Sequence, residues 1–206
     1  RAKKGVAPLK VSATLMAAAM SNAEYIMHDF RHNGYLPAEN IAYGYNGAPG
    51  SEDSPYRGWF DREEAIFNEA VASGKYPGLA EMNASQVSMR YPELFQKTGH
   101  YLNIIEPFYQ VTGLGVGQKG DSNYYSQGFF WSEANVVING KYTDNGPVMS
   151  TEQFRNSINK FLKQAGNAGS GPEYEAAKKA YENALKEVET AKAEADAKAK
   201  DLTQAQ

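Results

Sequence analysis

The chain has 206 residues, 42% hydrophobic and 12% aromatic, which is enough to bury one sizeable core and carry an appendage. Its formal net charge of -3, with no cluster of lysine or arginine, argues against nucleic-acid binding. The sequence has no apolar run of about 18 residues that would span a membrane, and no hydrophobic signal segment at its start. It also lacks cysteine, which by composition alone suits a cytosolic protein as well as an exported one.

The N-terminal part predicts a long helix followed by a loop. Residues 1–5 combine basic residues with a glycine, as at a helix end, so we expect the first helix of the domain to be truncated. Ser12 is a typical N-cap for a helix over residues 13–30, whose apolar positions recur at helical spacing. Turn residues then predict a loop over residues 32–44, which contains His32 and Glu39.

The middle of the chain predicts a second loop and a second helix. Residues 46–56 are rich in glycine, proline and serine, so we expect a loop that forms the rim of a cleft. Residues 59–72 predict an amphipathic helix that carries Trp59, Glu63 and Glu64.

A short histidine motif, GHYLNI, occupies residues 99–104 and opens an apolar run. Taken alone, it predicts a turn that enters a core strand. Strands are predicted at residues 112–117, 123–131 and 135–138, with a hairpin turn at Asn139-Gly140. The glycines at 113, 115 and 117 do not predict a phosphate loop, because no helix and no acidic ribose partner follow them.

The C-terminal part changes in composition. Ser150 offers a helix cap, and Phe154, Ile158, Phe161 and Leu162 follow as one helical stripe. We therefore predict a globular domain over residues 1–165, a Gly/Ser/Pro linker over 166–172 and an Ala/Lys/Glu-rich helical stalk over 173–206. Heptad spacing in the stalk indicates a coiled coil that mediates self-association, and a single solvated helix is the alternative.

Three motifs occur in order along the first 130 or so residues. They are His32 followed by ENIAYG at 39–44, Trp59 followed by Glu63, and GHYLNI at 99–104. Together they resemble the CAP superfamily (the SCP domain of cysteine-rich secretory, antigen 5 and pathogenesis-related 1 proteins), in its cysteine-free bacterial branch. The resemblance implies an α+β fold, a three-layer α-β-α sandwich, here followed by the C-terminal long helix or coiled coil.

The resemblance also implies a cleft lined by two histidines and two acidic residues, for which the candidates are His32, Glu39, Glu63 and His100. Two alternatives stay open at this point. His28 precedes His32 by one helical turn, and Glu64 would replace Glu63 if the gap after the tryptophan varied by a residue.

The function implied is that of an exported or surface-displayed module of a Gram-positive bacterium, active in adhesion or binding. Its partners would be a host or bacterial surface protein, a glycan or a lipid. His32 and His100 could hold a divalent metal such as Zn²⁺. The alternatives are a metal-dependent hydrolase of cell-wall or host polymers and a lipid- or sterol-binding protein. None of the motifs contains a cysteine or a Gly-x-Ser-x-Gly serine, which weakens the hydrolase interpretation.

Overall fold

The computed structural model of the protein describes residues 1–47, 51–168 and 179. Within them, helices and strands mix as an α+β fold. The helices are α1 (Ala13–Ile26), α2 (Glu63–Ala72), α3 (Ala84–Arg90), α4 (Pro92–Ile105) and α5 (Thr151–Ala168). The strands are β1 (Lys10–Ser12), β2 (Glu39–Tyr43), β3 (Val111–Lys119), β4 (Ser122–Phe130), β5 (Asn135–Ile138), β6 (Lys141–Asp144) and β7 (Val148–Met149).

Five of the strands form one sheet in the order β2-β4-β3-β1-β7, and β5 and β6 form a separate hairpin. Only β1 and β3 run parallel among these described pairs; the others are antiparallel. The predicted strands are confirmed, with ends shifted by a residue or two. The predicted hairpin turn is confirmed as well, because Asn139 (φ 49°) and Gly140 (φ 74°) both adopt the left-handed conformation that such a turn requires.

Helix α1 begins where the sequence predicts and ends earlier. The Ser12 hydroxyl accepts a hydrogen bond from the Leu15 amide at 3.0 Å, which confirms the N-cap. The helix stops at Ile26, not near residue 30, and this corrects the predicted end. Ile26 is fully buried whereas residues 28–32 are exposed, so no burial supports a further helical turn.

The three alternate glycines of β3 let α1 lie directly on the sheet. A Cβ atom at Gly113 would overlap the backbone of Leu15, and one at Gly115 would overlap the backbone of Ala19. At Gly117 the nearest atom, the Ala23 carbonyl oxygen, is 3.1 Å from the Cβ position. The glycine spacing therefore serves close packing of a helix on a strand.

Helices α2, α3 and α4 form a second core, and α4 corrects the interpretation of the histidine motif. Residues 99–105 are the last turns of α4 and do not enter a strand. The buried residues of α4 lie at helical spacing, one turn or two apart. They are Leu94, Thr98, Tyr101 and Leu102. Taken together with Pro92 at the first helical turn, that spacing identifies a helix that the short motif alone does not reveal.

The N-terminal residues attach to the end of α4. Residues Ala2–Lys4 form a 3-10 turn that ends at Gly5 with φ 70°, which confirms the predicted helix end. The Arg1 guanidinium donates hydrogen bonds to the carbonyls of Ile104, Glu106 and Tyr109 at 3.0, 2.9 and 3.2 Å. Burial lowers the pKa of Arg1. A side-chain cation thus satisfies the carbonyls that a helix leaves unpaired at its C-terminus.

The chain divides into two units, Arg1–Phe154 and Arg155–Gln206. The predicted cap of α5 is confirmed, because Ser150 and Gln153 exchange two backbone-to-side-chain hydrogen bonds at 2.9 and 3.1 Å. Helix α5 continues to Ala168, so it takes in the first three residues of the predicted linker. The rest of that linker, and the predicted stalk except residue 179, lie outside the described residues. No helix within the described residues is long and apolar enough to cross a membrane.

Replacing Gly115 by alanine should destabilise the first unit, because the added methyl meets backbone atoms that no side-chain rotation can move away. Overpacking of this kind costs about 1–3 kcal/mol or more. Urea unfolding would measure the loss. Val116→Ala is the matched control, since this neighbouring side chain is exposed and its loss should cost less than about 1 kcal/mol. Equal stability of Gly115→Ala and wild type would contradict the packing argument.

Removing residues 169–206 should leave the first unit folded, because all three buried clusters consist of residues within Arg1–Phe154. The measurement is the thermal midpoint of the truncated and full-length chains by circular dichroism. A large fall in the midpoint would show that the C-terminal residues contribute to the core, and the predicted division into domain, linker and stalk would fail.

Candidate functional site

The first half of the candidate site is a pair formed by His32 and Glu39. His32 lies in the loop after α1, and its Nδ1 atom is 2.9 Å from Oε1 of Glu39. Glu39 is the first residue of β2, so it lies in a strand and not in the loop that the sequence predicted. Its side chain is buried, while the imidazole is largely exposed. The carboxylate therefore fixes the ring through one nitrogen and leaves Nε2 toward the solvent.

Glu39 is also held from the α1 side by Asn22. The Asn22 amide donates to Oε2 of Glu39 at 2.6 Å and to the hydroxyl of Ser126 at 3.0 Å. Its carbonyl oxygen accepts a hydrogen bond from the Asn33 amide at 2.9 Å. Asn22 is 1% exposed. Sequence analysis missed this role, although an asparagine among the apolar positions of α1 was the available signal, since a buried amide needs partners.

The second half of the site is a pair formed by His100 and Glu63. Nδ1 of His100 is 2.6 Å from Oε1 of Glu63, and the Tyr101 amide donates to Oε2 at 3.0 Å. Glu63 is 6% exposed and lies behind the imidazole. Like Glu39, it uses one oxygen to orient a histidine and the other to bind an amide. His100 again keeps Nε2 for an external partner.

Trp59 supports this second pair from the preceding segment. Residues Arg57–Arg62 form a π-helix that leads directly into α2 and hence to Glu63. The indole nitrogen of Trp59 donates to the Ile41 carbonyl at 3.2 Å, and its ring centre lies 5.9 Å from that of His100. The wider helical turn thus brings a buried tryptophan against both β2 and the imidazole, a use of π-helices found at functional sites.

Two asparagines connect the halves. The Asn40 amide donates to the His100 carbonyl at 3.1 Å, and the Asn103 amide donates to the Asn40 side-chain oxygen at 3.0 Å. Glu39 and Asn40 are consecutive in β2, so their side chains point to opposite faces of the sheet. Glu39 accordingly contacts α1, and Asn40 contacts α4.

Both imidazoles line one cleft of about 700 Å³. Its floor is formed by His32, Glu39, His100 and Asn103. Tyr109 also lines the cleft, and burial raises its pKa to about 12, so it is a neutral hydroxyl at physiological pH. One wall of the cleft comes from α3 and α4. It is formed by Ala84, Ser85, Ser88, Met89, Phe95, Gln96 and Gly99.

A third buried carboxylate, Glu106, positions that wall. It lies just after α4 and is 6% exposed. Its Oε2 atom accepts a hydrogen bond at 3.0 Å from the amide of Ala84, the first residue of α3. An anion at a helix N-terminus satisfies an unpaired amide and favours the helix dipole. Glu106 therefore fixes α3 to the end of α4 and holds the wall in place.

The structure places the alternatives that the sequence left open in different surroundings. His28 is exposed, and its side chain makes no hydrogen bond to any described residue, whereas His32 pairs with Glu39. Glu64 forms a salt bridge with Lys4, which raises the pKa of Lys4, whereas Glu63 pairs with His100. Residues 46–47 and 51–56, the described part of the loop predicted to form the rim, are not among the residues that line the cleft. Tyr56, at the end of that loop, is half-buried, and its hydroxyl donates to the Gln127 side-chain oxygen in β4 at 3.1 Å.

The donor set has defined chemical possibilities. Each imidazole has one nitrogen held by a carboxylate and one available, an arrangement that suits proton transfer or binding of a hydrogen-bond donor or acceptor. Among the described residues, no group of three or more His, Cys, Asp or Glu side chains has the arrangement of a metal site.

The protein contains an α+β domain with a mixed parallel and antiparallel sheet. Two histidine–carboxylate pairs form a His/Glu site beside its edge strand β2. The chain belongs to the cysteine-rich secretory protein family, or CAP family, whose model matches residues 1–134. This confirms the resemblance found in the sequence. A comparison with curated proteins gives no match.

Glu63→Gln should destabilise the protein by about 1–3 kcal/mol, because a buried carboxylate that serves both His100 and the Tyr101 amide is replaced by a neutral group. The ring signals of His100 should shift in the NMR spectrum. Glu64→Gln is the matched control, and it should cost less than about 1 kcal/mol, because the Glu64–Lys4 pair is partly exposed. Equal decreases in the free energy of unfolding for the two variants, measured by denaturant unfolding, would contradict the assigned role of Glu63.

Proposed function

We propose that the protein is an exported or surface-displayed bacterial binding module whose cleft holds a segment of a partner macromolecule. The observation that carries this proposal is the wall of the cleft. The side chains of Ser85, Ser88 and Gln96 make no hydrogen bond to any described residue, and they line the same cavity as both histidines. Polar groups directed into a cleft without internal partners are available to a ligand.

The same wall also offers apolar contact. Met89 is 75% exposed and Phe95 lines the cavity beside it. Methionine adapts to irregular apolar surfaces, and an aromatic ring serves as an anchor in many interfaces. This combination favours a protein or a glycan of a host or bacterial surface as the partner and suits a lipid less well.

The family and the fold support the wider proposal. The matched family is described as secretory, and the absence of cysteine fits its cysteine-free bacterial branch. We also propose that the domain is a three-layer α-β-α sandwich, since Glu39 and Asn40 contact α1 and α4 on opposite faces of β2. In this proposal the C-terminal heptads provide a stalk or a self-association segment that displays the domain for adhesion.

A divalent metal would bind through Nε2 of His32 and of His100, because both Nδ1 atoms are held by carboxylates. Zinc sites use three or four protein ligands, so water or the partner would have to complete the coordination. Such a site would be weak, and its affinity would fall in acid, because protonated imidazole cannot bind metal. The metal would supply Lewis acidity, whereas Glu39 and Glu63 would orient the rings.

A metal-dependent hydrolase of cell-wall or host polymers is the second candidate. The observation that favours it is that a buried carboxylate fixes each imidazole through Nδ1, as in sites where histidine acts as a general base. The same pairing serves a binding module equally well by preorganising the cleft. The two candidates therefore differ in what the histidines do and not in where they lie.

The double variant His32→Gln/His100→Gln separates the two functions, because glutamine can still donate to the buried carboxylates and so preserve the fold. For a binding module, retention on peptidoglycan, casein or phospholipid vesicles should survive in the double variant. It should fall about tenfold in Met89→Ala/Gln96→Ala, since truncating anchors in the wall removes the contacts that carry affinity.

Product release from the same three materials, with and without Zn²⁺, is measured in parallel. Turnover in the wild type that is lost by factors of at least about 10²–10⁴ in the double variant would establish the hydrolase and overturn the binding proposal. The thermal midpoints of both variants serve as the folding control. Retention that is unchanged in the wall variant would move the binding surface away from the cleft.

A further inference from the structure

We propose that a second, smaller cavity is a binding site for a single neutral sugar ring. It has a volume of about 280 Å³ and is lined by Ser21, Asn22, Tyr25, Asn33, Tyr35 and Asn139. The cavity lies among α1, the loop after it and the turn between β5 and β6. It is distinct from the His/Glu cleft and lies wholly within the first unit.

The lining chemistry selects the class of ligand. Its residues are three amides, one serine hydroxyl and two tyrosines, and no Asp, Glu, Lys, Arg or His is among them in the described part of the chain. Two charges near the lining, Asp29 at the Tyr25 hydroxyl and Arg31, are already paired with each other, so the lining itself favours a neutral ligand. Neutral hydroxyl groups match amides and hydroxyls as donors and acceptors, and aromatic rings can pack on the apolar face of a sugar.

Several of these groups are free to bind. The side chains of Ser21 and Asn139 and the hydroxyl of Tyr35 make no hydrogen bond to any described residue. Asn33 donates one amide hydrogen to Asn22 and keeps the other, while its oxygen accepts from the Tyr35 amide at 2.9 Å. The cavity therefore offers both donors and acceptors, as a polyhydroxylated ring requires.

The rear of the cavity is rigid. Asn22 is buried and is fixed by Glu39, Ser126 and Asn33 at 2.6, 3.0 and 2.9 Å. Amides held in this way lose little freedom when a ligand binds, and this preorganisation favours affinity. The backbone of Asn139 is held in a left-handed conformation, and its backbone N–H donates a hydrogen bond to the Tyr35 carbonyl at 2.8 Å.

Size limits the ligand to one ring. Small-molecule pockets commonly measure about 300–1,000 Å³, so this cavity, at about 280 Å³, is slightly smaller than that range. It suits a monosaccharide or the terminal residue of a glycan, whose remaining residues would extend into solvent.

The test is an NMR titration of the full chain with the methyl glycosides of glucose, galactose and N-acetylglucosamine, and with glucuronic acid as the charged counterpart. With at least one neutral glycoside, we expect the signals of Tyr25, Tyr35 and Asn139 to shift and saturate, with a dissociation constant in the millimolar range. With glucuronic acid, we expect no shift. No saturable shift with any neutral glycoside, or equal shifts with glucuronic acid, would overturn the proposal.

Two variants assign the binding to this cavity. Asn139→Gly keeps the left-handed turn and Tyr35→Phe keeps the ring, so each removes polar groups without disturbing the backbone. Each lost hydrogen bond should weaken binding about tenfold. His100→Gln, in the separate cleft, should leave sugar binding unchanged whether or not the cleft binds its proposed partner. Full binding in both cavity variants would place the sugar elsewhere and refute the site.

Discussion

A carboxylate removed from water must be given hydrogen-bond donors, and two such carboxylates determine how this domain is arranged. Glu39 is held by His32 and by the amide of Asn22 from α1. Glu63 is held by His100 and by the backbone amide of Tyr101. In each case the same side chain that orients an imidazole also joins two elements of the fold. The hydrogen bonds that orient the two imidazoles therefore also hold elements of the domain together. A substitution at either carboxylate would affect both the cleft and the stability of the fold.

The wall of the cleft differs from its floor in how its side chains are held. Its position is fixed by Glu106, which binds the first amide of α3, while Arg1 satisfies the carbonyls at the end of α4. The side chains that α3 presents, such as Ser85 and Met89, have no structural partner to maintain. Their identity can change at little cost to the fold, whereas the two imidazoles are held in place by the buried carboxylates of Glu39 and Glu63.

Short-range sequence patterns predicted many helix ends, strands and turns. Features that depend on contacts between residues distant in the chain could not be predicted in this way. Ser12 and the Asn139-Gly140 turn follow from short-range chemistry and lie where it places them. The residues at 99–105 did not reveal their helix, because its evidence is the burial of Leu94 and Thr98 one and two turns earlier. His32 and His100 were assigned to one cleft only through ordered motifs, since no spacing rule connects residues so distant in the chain. The supporting asparagines were missed because their partners are set by packing that a single sequence does not display.

The position of β1 inside the sheet has a kinetic consequence. Lys10 pairs with Val111 of β3 and Ser12 pairs with Val148 of β7, so an N-terminal strand is flanked by two that come much later in the chain. The cost in chain entropy of closing such large loops is met before any of these contacts forms, and this slows folding. The hairpin of β3 and β4 and the helices α2 to α4 join residues close in sequence and can assemble earlier. The five-stranded sheet can be completed only after residue 149 has been synthesised, because β7 ends there. Pairing of β1 with β7 is therefore a late step of folding during biosynthesis.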